Sequence, residues 1–159
     1  MSSKLSSVKT VAWVTEDVTS NNAILALACD EIVMHPDAEL GDIGRGQALD
    51  RDEQQAVLSL VERRHNPKLS PALVLGMMDP AKRVLKVQLQ FGGGENAQTE
   101  SRVVTPEELK DLRDNQVEIV NVETVKEAGF AKALSGRQAR ALDVLVMQTA
   151  ESRADLADL

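Results

Sequence analysis

The sequence predicts a mixed α/β protein, and three observations carry that expectation. Short runs of β-branched and other apolar residues, Val8 to Val14 and Ile32 to Met34, alternate with segments that open on helix-start signals. Between them, Ala23-Ile24-Leu25-Ala26-Leu27-Ala28-Cys29 is apolar on every side, the composition of a helix enclosed by other elements. Further on, Leu85, Val87, Leu89 and Phe91 alternate with Lys86, Gln88 and Gln90, which describes a strand with one wet face.

Val8 to Val14 is the first strand, ended by the polar Thr15-Glu16-Asp17. Thr19, Ser20, Asn21 and Asn22 are successive capping residue types, so the apolar helix opens here, with its unpaired N–H groups at the rim of the core. Asp30 and Glu31 end that helix, and Ile32-Val33-Met34 makes a short buried strand before His35-Pro36. Gly41, Gly44 and Gly46 turn the stretch from Pro36 to Asp50 into a loop. Asp50 caps an amphipathic helix to about Arg64, with Ala56, Val57, Leu60 and Val61 on its apolar face, and Ser70-Pro71 opens another that Asp79-Pro80 stops. After the Leu85 to Phe91 strand, Gly92-Gly93-Gly94-Glu95-Asn96 turns the chain toward Arg102-Val103-Val104 as a hairpin partner. Thr105-Pro106-Glu107-Glu108 combines a cap, a first-turn Pro and a box-forming Glu, which sets a helix to about Asp114. Val117 to Val120 reads as a strand, Asn121 as the cap of a short helix Val122 to Ala128, and Gly129 as its terminator. Gly136 to Ala150 reads as the last helix, followed by an acidic tail, Glu151 to Leu159, that frays. The expected organisation is a single domain over residues 1–150 plus that tail.

Composition excludes several classes of function. Hydrophobic residues at 43% and charged residues at 27% are ordinary globular usage. A net charge of −7 repels phosphate backbones, and three aromatic residues (Trp13, Phe91, Phe130) build no stacking platform, so nucleic acid is not an expected partner. The single cysteine, Cys29, forms no internal disulfide, and no Cys/His cluster has zinc-ligand spacing. The apolar stretches fall well short of the ~20 residues of a membrane-spanning helix, and Met1 to Lys9 has no apolar export core, so the chain as given reads as soluble. Asp37, Glu39, Asp42, Asp50 and Asp52 match no calcium-loop spacing, and no Lys-Ser/Thr follows Gly92-Gly93-Gly94, so neither a metal nor a cofactor is expected.

The chemistry concentrates at Ser20. A hydroxyl at the mouth of a buried helix sits where free N–H groups and the positive end of the helix dipole favour an alkoxide or a bound anion. In its plainest role Ser20 only caps the helix.

Three runs carry a resemblance: Val11-Ala12-Trp13-Val14, then Thr19-Ser20-Asn21-Asn22 with the apolar helix to Asp30, then Ile32-Val33-Met34-His35-Pro36 through to Gly44. They resemble the Clp-protease/crotonase superfamily, and within it the membrane-associated serine peptidases of the NfeD and signal-peptide-peptidase type. The stretch Asn121 to Lys132 looks like the closing helix-Gly-strand unit of that family. The resemblance implies a layered sheet of parallel strands with flanking helices, present here as the later part of such a domain, with the N-terminal repeats missing. It implies Ser20 as nucleophile of a peptide-bond hydrolase and places Asp30 on the helix-ending acid. Asn21 and Asn22 stand where the family has small residues, so they are the candidate oxyanion or site-lining positions, with side chains that crowd the site.

The expected general base of the Ser/Lys type is absent, because no Lys lies between Lys9 and Lys68, and Arg45 and Arg51 stay protonated. His35 and His65 do not fall on the family's His position, and Lys68 substitutes for the base only if a neighbouring element or subunit brings it in, its plain role being a surface lysine before a helix. The resulting expectation is a serine-peptidase-like domain that does not act as an isolated chain, or a catalytically silent scaffold or peptide-binding module of a membrane-associated complex. Acyl-CoA chemistry on the same scaffold is the least favoured reading. A peptide or protein substrate is the expected ligand. The uncovered sheet edge predicts a homo-oligomer, and any membrane contact runs through regions outside this chain.

Overall fold

The computed structural model describes residues 8–64 and 66–159, so the readings of the first seven residues and of His65 lie outside it. The chain is mixed α/β. β1 (Val11–Val14), α1 (Ser20–Leu27) and β2 (Glu31–Met34) form a parallel strand-helix-strand unit, followed by β3 (Glu39–Gly41), α2 (Arg51–Glu62) and α3 (Pro71–Met78). β4 (Val84–Phe91), β5 (Gln98–Val104), α4 (Pro106–Asp114) and β6 (Glu118–Lys126) come next, then β7 (Ala133–Ser135), α5 (Gly136–Leu142), β8 (Gln148–Thr149) and α6 (Arg153–Ala157). Among the described residues three sheets result: a parallel one in the order β1-β2-β8, the antiparallel pair β3-β7, and an antiparallel one in the order β5-β4-β6.

The helix starts follow local capping chemistry. The Asp50 carboxylate accepts from Glu53 N–H at 2.8 Å while Asp50 N–H donates to Glu53 at 3.1 Å, a reciprocal box at the start of α2. Ser70 Oγ accepts from Leu73 N–H at 3.2 Å, with Pro71 in the first turn of α3, and Thr105 boxes with Glu108 at the start of α4.

The enclosed helix is α3, not α1. Ala72, Leu73, Val74, Gly76, Met77 and Met78 are all buried, and a Cβ at Gly76 would come within 2.5 Å of Val84 Cγ2, so the helix packs directly on β4. In α1 only Ala23, Ala26 and Leu27 are buried, and Leu25 is 68% exposed, because β1 beside it is the edge of its sheet and nothing among the described residues covers that flank. One core cluster joins α1, β2, α3 and the ends of β4 and β6, and a smaller one, Leu85, Val87, Leu89, Val104 and Leu109, sits beneath α4.

Four sequence expectations are corrected. In place of the helix expected over Val122 to Ala128, β6 runs on to Lys126, with Val122 opposite Val87 and Thr124 opposite Leu85, where the β-branched residues suit the extended backbone. Asn121 therefore caps nothing and lies opposite Gln88. The last helix stops at Leu142, where Asp143 turns left-handed (φ 54°) and Val144, Leu145 and Val146 are buried on the way to β8. The loop after Pro36 contains β3, whose Gly41 is required because a Cβ there would meet Lys132 O at 2.2 Å. The acidic tail carries α6, boxed by Ser152 and Asp155, instead of fraying throughout.

Candidate functional site at the mouth of α1

β1 delivers the chain to the carboxyl end of the parallel sheet, where Thr15, Glu16 and Asp17 are exposed. Val18 then bridges Leu40: its N–H donates to Glu39 O at 2.8 Å, and Gly41 N–H donates to Val18 O at 3.2 Å. This short pairing lays residues 18–20 along β3 and its continuation. Thr19 occupies the N-cap in extended conformation, but its hydroxyl makes no capping bond.

Ser20 is the first residue of α1, half-buried, and its backbone is left-handed with φ 57°. Its N–H donates to Asp42 O at 3.5 Å, and Asp42 itself has φ 43°, with Arg45 at φ 52° three residues on. For a residue with a Cβ the left-handed region costs about 1–2 kcal/mol, so strain gathers on the two sides of one contact. Among the described residues the Ser20 hydroxyl has no hydrogen-bond partner. Asn21 and Asn22 are exposed, and their backbone N–H groups have no backbone acceptor among the described residues, as the first turn of a helix requires. Asn22 also lines the groove beside β1.

Among the described residues no proton acceptor is hydrogen-bonded to this hydroxyl. Asp30 lies at the other end of α1, roughly 15 Å away along the helix rise, and is bound to Thr10: the Thr10 N–H and hydroxyl each donate to its carboxylate at 2.8 Å. The Thr10 N–H, then the hydroxyl, hold the Asp30 carboxyl below its ordinary value against the opposing effect of desolvation. Lys68 is committed to Asp143 at 2.8 Å, and that hydrogen bond lowers the Asp143 carboxyl. His35 Nδ1 accepts from Asp37 N–H at 3.2 Å, which confines the ring to its own turn. Asp42, the acid nearest through the backbone, turns its carboxylate onto Gly46 N–H at 2.7 Å. Of the other acids of the loop cluster, Asp37 pairs with Arg137 and Asp50 caps its own helix.

Two residues beside the site were not legible in the sequence. Asp42 accepts the Ser20 N–H, and Lys132 O accepts the Asp42 N–H at 2.9 Å, so the β3-β7 pairing threads Lys132 past the strained turn. The Lys132 ammonium lies over Phe130, 5.9 Å from the ring centroid. No local spacing signals this neighbourhood, since 90 residues separate Asp42 from Lys132.

No protein-family model, no curated protein and no solved structure matches this chain. What fold and site establish on their own is a mixed α/β chain with a strained serine at a helix mouth on the carboxyl side of a parallel sheet.

Proposed function

We propose that this chain is a serine-peptidase-like domain of Clp/crotonase type, with Ser20 as the nucleophile position, and that the isolated chain lacks the base that would make it turn over. The carrying observation is the left-handed Ser20 that opens α1. A hydroxyl held on a strained strand-to-helix turn is presented outward from the helix axis, which is how such turns expose a nucleophile. In that role Ser20 Oγ attacks the carbonyl carbon of a peptide bond, and the Asn21 and Asn22 backbone N–H groups receive the charge that develops on the carbonyl oxygen. The proton leaving Oγ requires a base from another chain or segment.

The absence of a proton acceptor bonded to Ser20 among the described residues favours a second reading, a catalytically silent scaffold or peptide-binding module. A fluorophosphonate probe separates the two. Labelling that mass spectrometry maps to Ser20, and that Ser20→Ala removes while circular dichroism stays unchanged, supports the peptidase reading. A folded wild-type chain left unlabelled at Ser20 leaves the scaffold reading. Running Lys132→Ala alongside tests whether the lysine threaded past the turn supplies any of the reactivity.

A further inference from the structure

The outer edge of β1 is an interaction surface that the chemistry of Ser20 does not use. Among the described residues β1 is paired on one side only, by β2. Glu31 N–H donates to Thr10 O at 3.1 Å and His35 N–H to Val14 O at 2.8 Å, so the even-numbered residues of the strand turn their backbone groups to β2. Parallel strands alternate these directions residue by residue. The N–H and C=O of Val11 and Trp13 therefore face outward.

The flank beside this edge is apolar. Val11 is 46% exposed, Leu25 on α1 is 68% exposed, and a groove of about 550 Å³ runs between strand and helix, with Trp13, Ala26 and Cys29 in its wall and Glu16, Asp17 and Asn22 making its other end polar. The other long edges are blunted. β6 carries a bulge where Ile119 and Asn121 pair with successive residues of β4 and Val120 is left over, and β5 presents the polar run Gln98, Thr99, Glu100, Ser101 and Arg102. β1 has neither device.

We propose that two copies of this chain pair through β1, antiparallel about a two-fold axis, to make one continuous sheet with the two Leu25 side chains on the same seam. The charges flanking the strand select this occupant. Lys9 precedes β1 and Glu16 and Asp17 follow it, all exposed. Antiparallel pairing brings Lys9 of each copy to the acidic end of the other, whereas parallel pairing sets like charges side by side. Lys9 also contacts Glu31 of its own chain, a pair whose lysine side is exposed, which leaves the ammonium able to bridge. A two-fold seam is self-complementary, as an isologous contact must be.

Sedimentation velocity over a concentration series tests the pairing with the full chain. The wild type is expected to dimerise. Leu25→Glu, and separately Lys9→Glu, each weaken the dimer roughly tenfold or more, with unchanged circular dichroism because all these residues are exposed. The decisive arm mixes two chains, Lys9→Glu and the double variant Glu16→Lys/Asp17→Lys. Each alone is expected to be mostly monomeric, and the mixture to recover a heterodimer because both ends of the seam are then complementary. A wild type that stays monomeric throughout the series overturns the proposal. So does a dimer that ignores these substitutions but is lost on Val120→Lys, which would move the interface to β6.

Discussion

At the scale of single residues, two carboxylate and hydroxyl positions at the ends of α1 behave oppositely. Ser20 is strained and its hydroxyl has no partner among the described residues, while Asp30 accepts twice from Thr10 through one carboxylate oxygen. Replacing Ser20 by Gly relieves a left-handed cost of about 1–2 kcal/mol at the expense of roughly 0.5–1 kcal/mol of chain entropy. Ser20→Gly should therefore raise the denaturation midpoint slightly while abolishing any labelling at this position, and Ser20→Val should lower it. A stability that falls on Ser20→Gly would mean the hydroxyl has a structural partner. For Asp30 the folded carboxyl is held below its unfolded value, so its contribution is fully present above the ordinary carboxylate range and is lost as pH falls through the folded value. Urea midpoints measured from neutral pH into the acid range should fall less steeply in Asp30→Asn than in the wild type, with the difference confined to the region around and below the ordinary Asp value of 3.8.

At the scale of elements, the chain was legible wherever a local signal closes within one turn. Asp50, Ser70 and Thr105 each announce a cap, and each helix begins on the next residue. The β4 stripe was equally plain. What escaped were elements decided by partners distant in sequence: β3 exists because β7 pairs with it, and β6 overrides a good cap at Asn121 by pairing along the whole of β4. The mouth of the site was readable from Thr19-Ser20-Asn21-Asn22, whereas the left-handed turn, Asp42 and Lys132 follow from that same nonlocal pairing. The enclosure of α3 also inverts the usual helix ranking. Gly76→Ala gains about 1 kcal/mol of helix propensity, but its Cβ lands 2.5 Å from a stiff β-branched Val84. Overpacking of this kind costs about 1–3 kcal/mol, so Gly76→Ala is expected to destabilise. Against a Val84→Ala background the same change should be less costly, and equal cost in both backgrounds would remove Val84 as the cause.

At the scale of the whole molecule, the antiparallel sheet is tied to the parallel half at one buried cation. Lys126, at the end of β6 and 1% exposed, directs its ammonium to three carbonyl oxygens just past α3: Asp79 at 3.0 Å, Pro80 at 2.9 Å and Lys82. An ammonium has three protons to donate, so each finds an acceptor, and those carbonyls lie at and beyond the negative end of the helix. Burial lowers the lysine's pKa, partly offset by Asp79, and the carbonyl acceptors offset the cost of enclosing the ammonium. Val84 and Val125, beside this contact, belong to the same core cluster as α1 and β2. Removing the ammonium should thus loosen both halves together. Lys126→Met strands the carbonyls and is expected to cost on the order of 2–3 kcal/mol. Trp13 is the chain's only tryptophan and sits in β1, so its fluorescence reports the parallel half while far-ultraviolet circular dichroism reports the whole. Coupling through Lys126 requires both denaturation midpoints to shift by the same amount in the variant. A fluorescence midpoint that holds still while the dichroism transition moves or splits would show that the two halves stand independently of this contact.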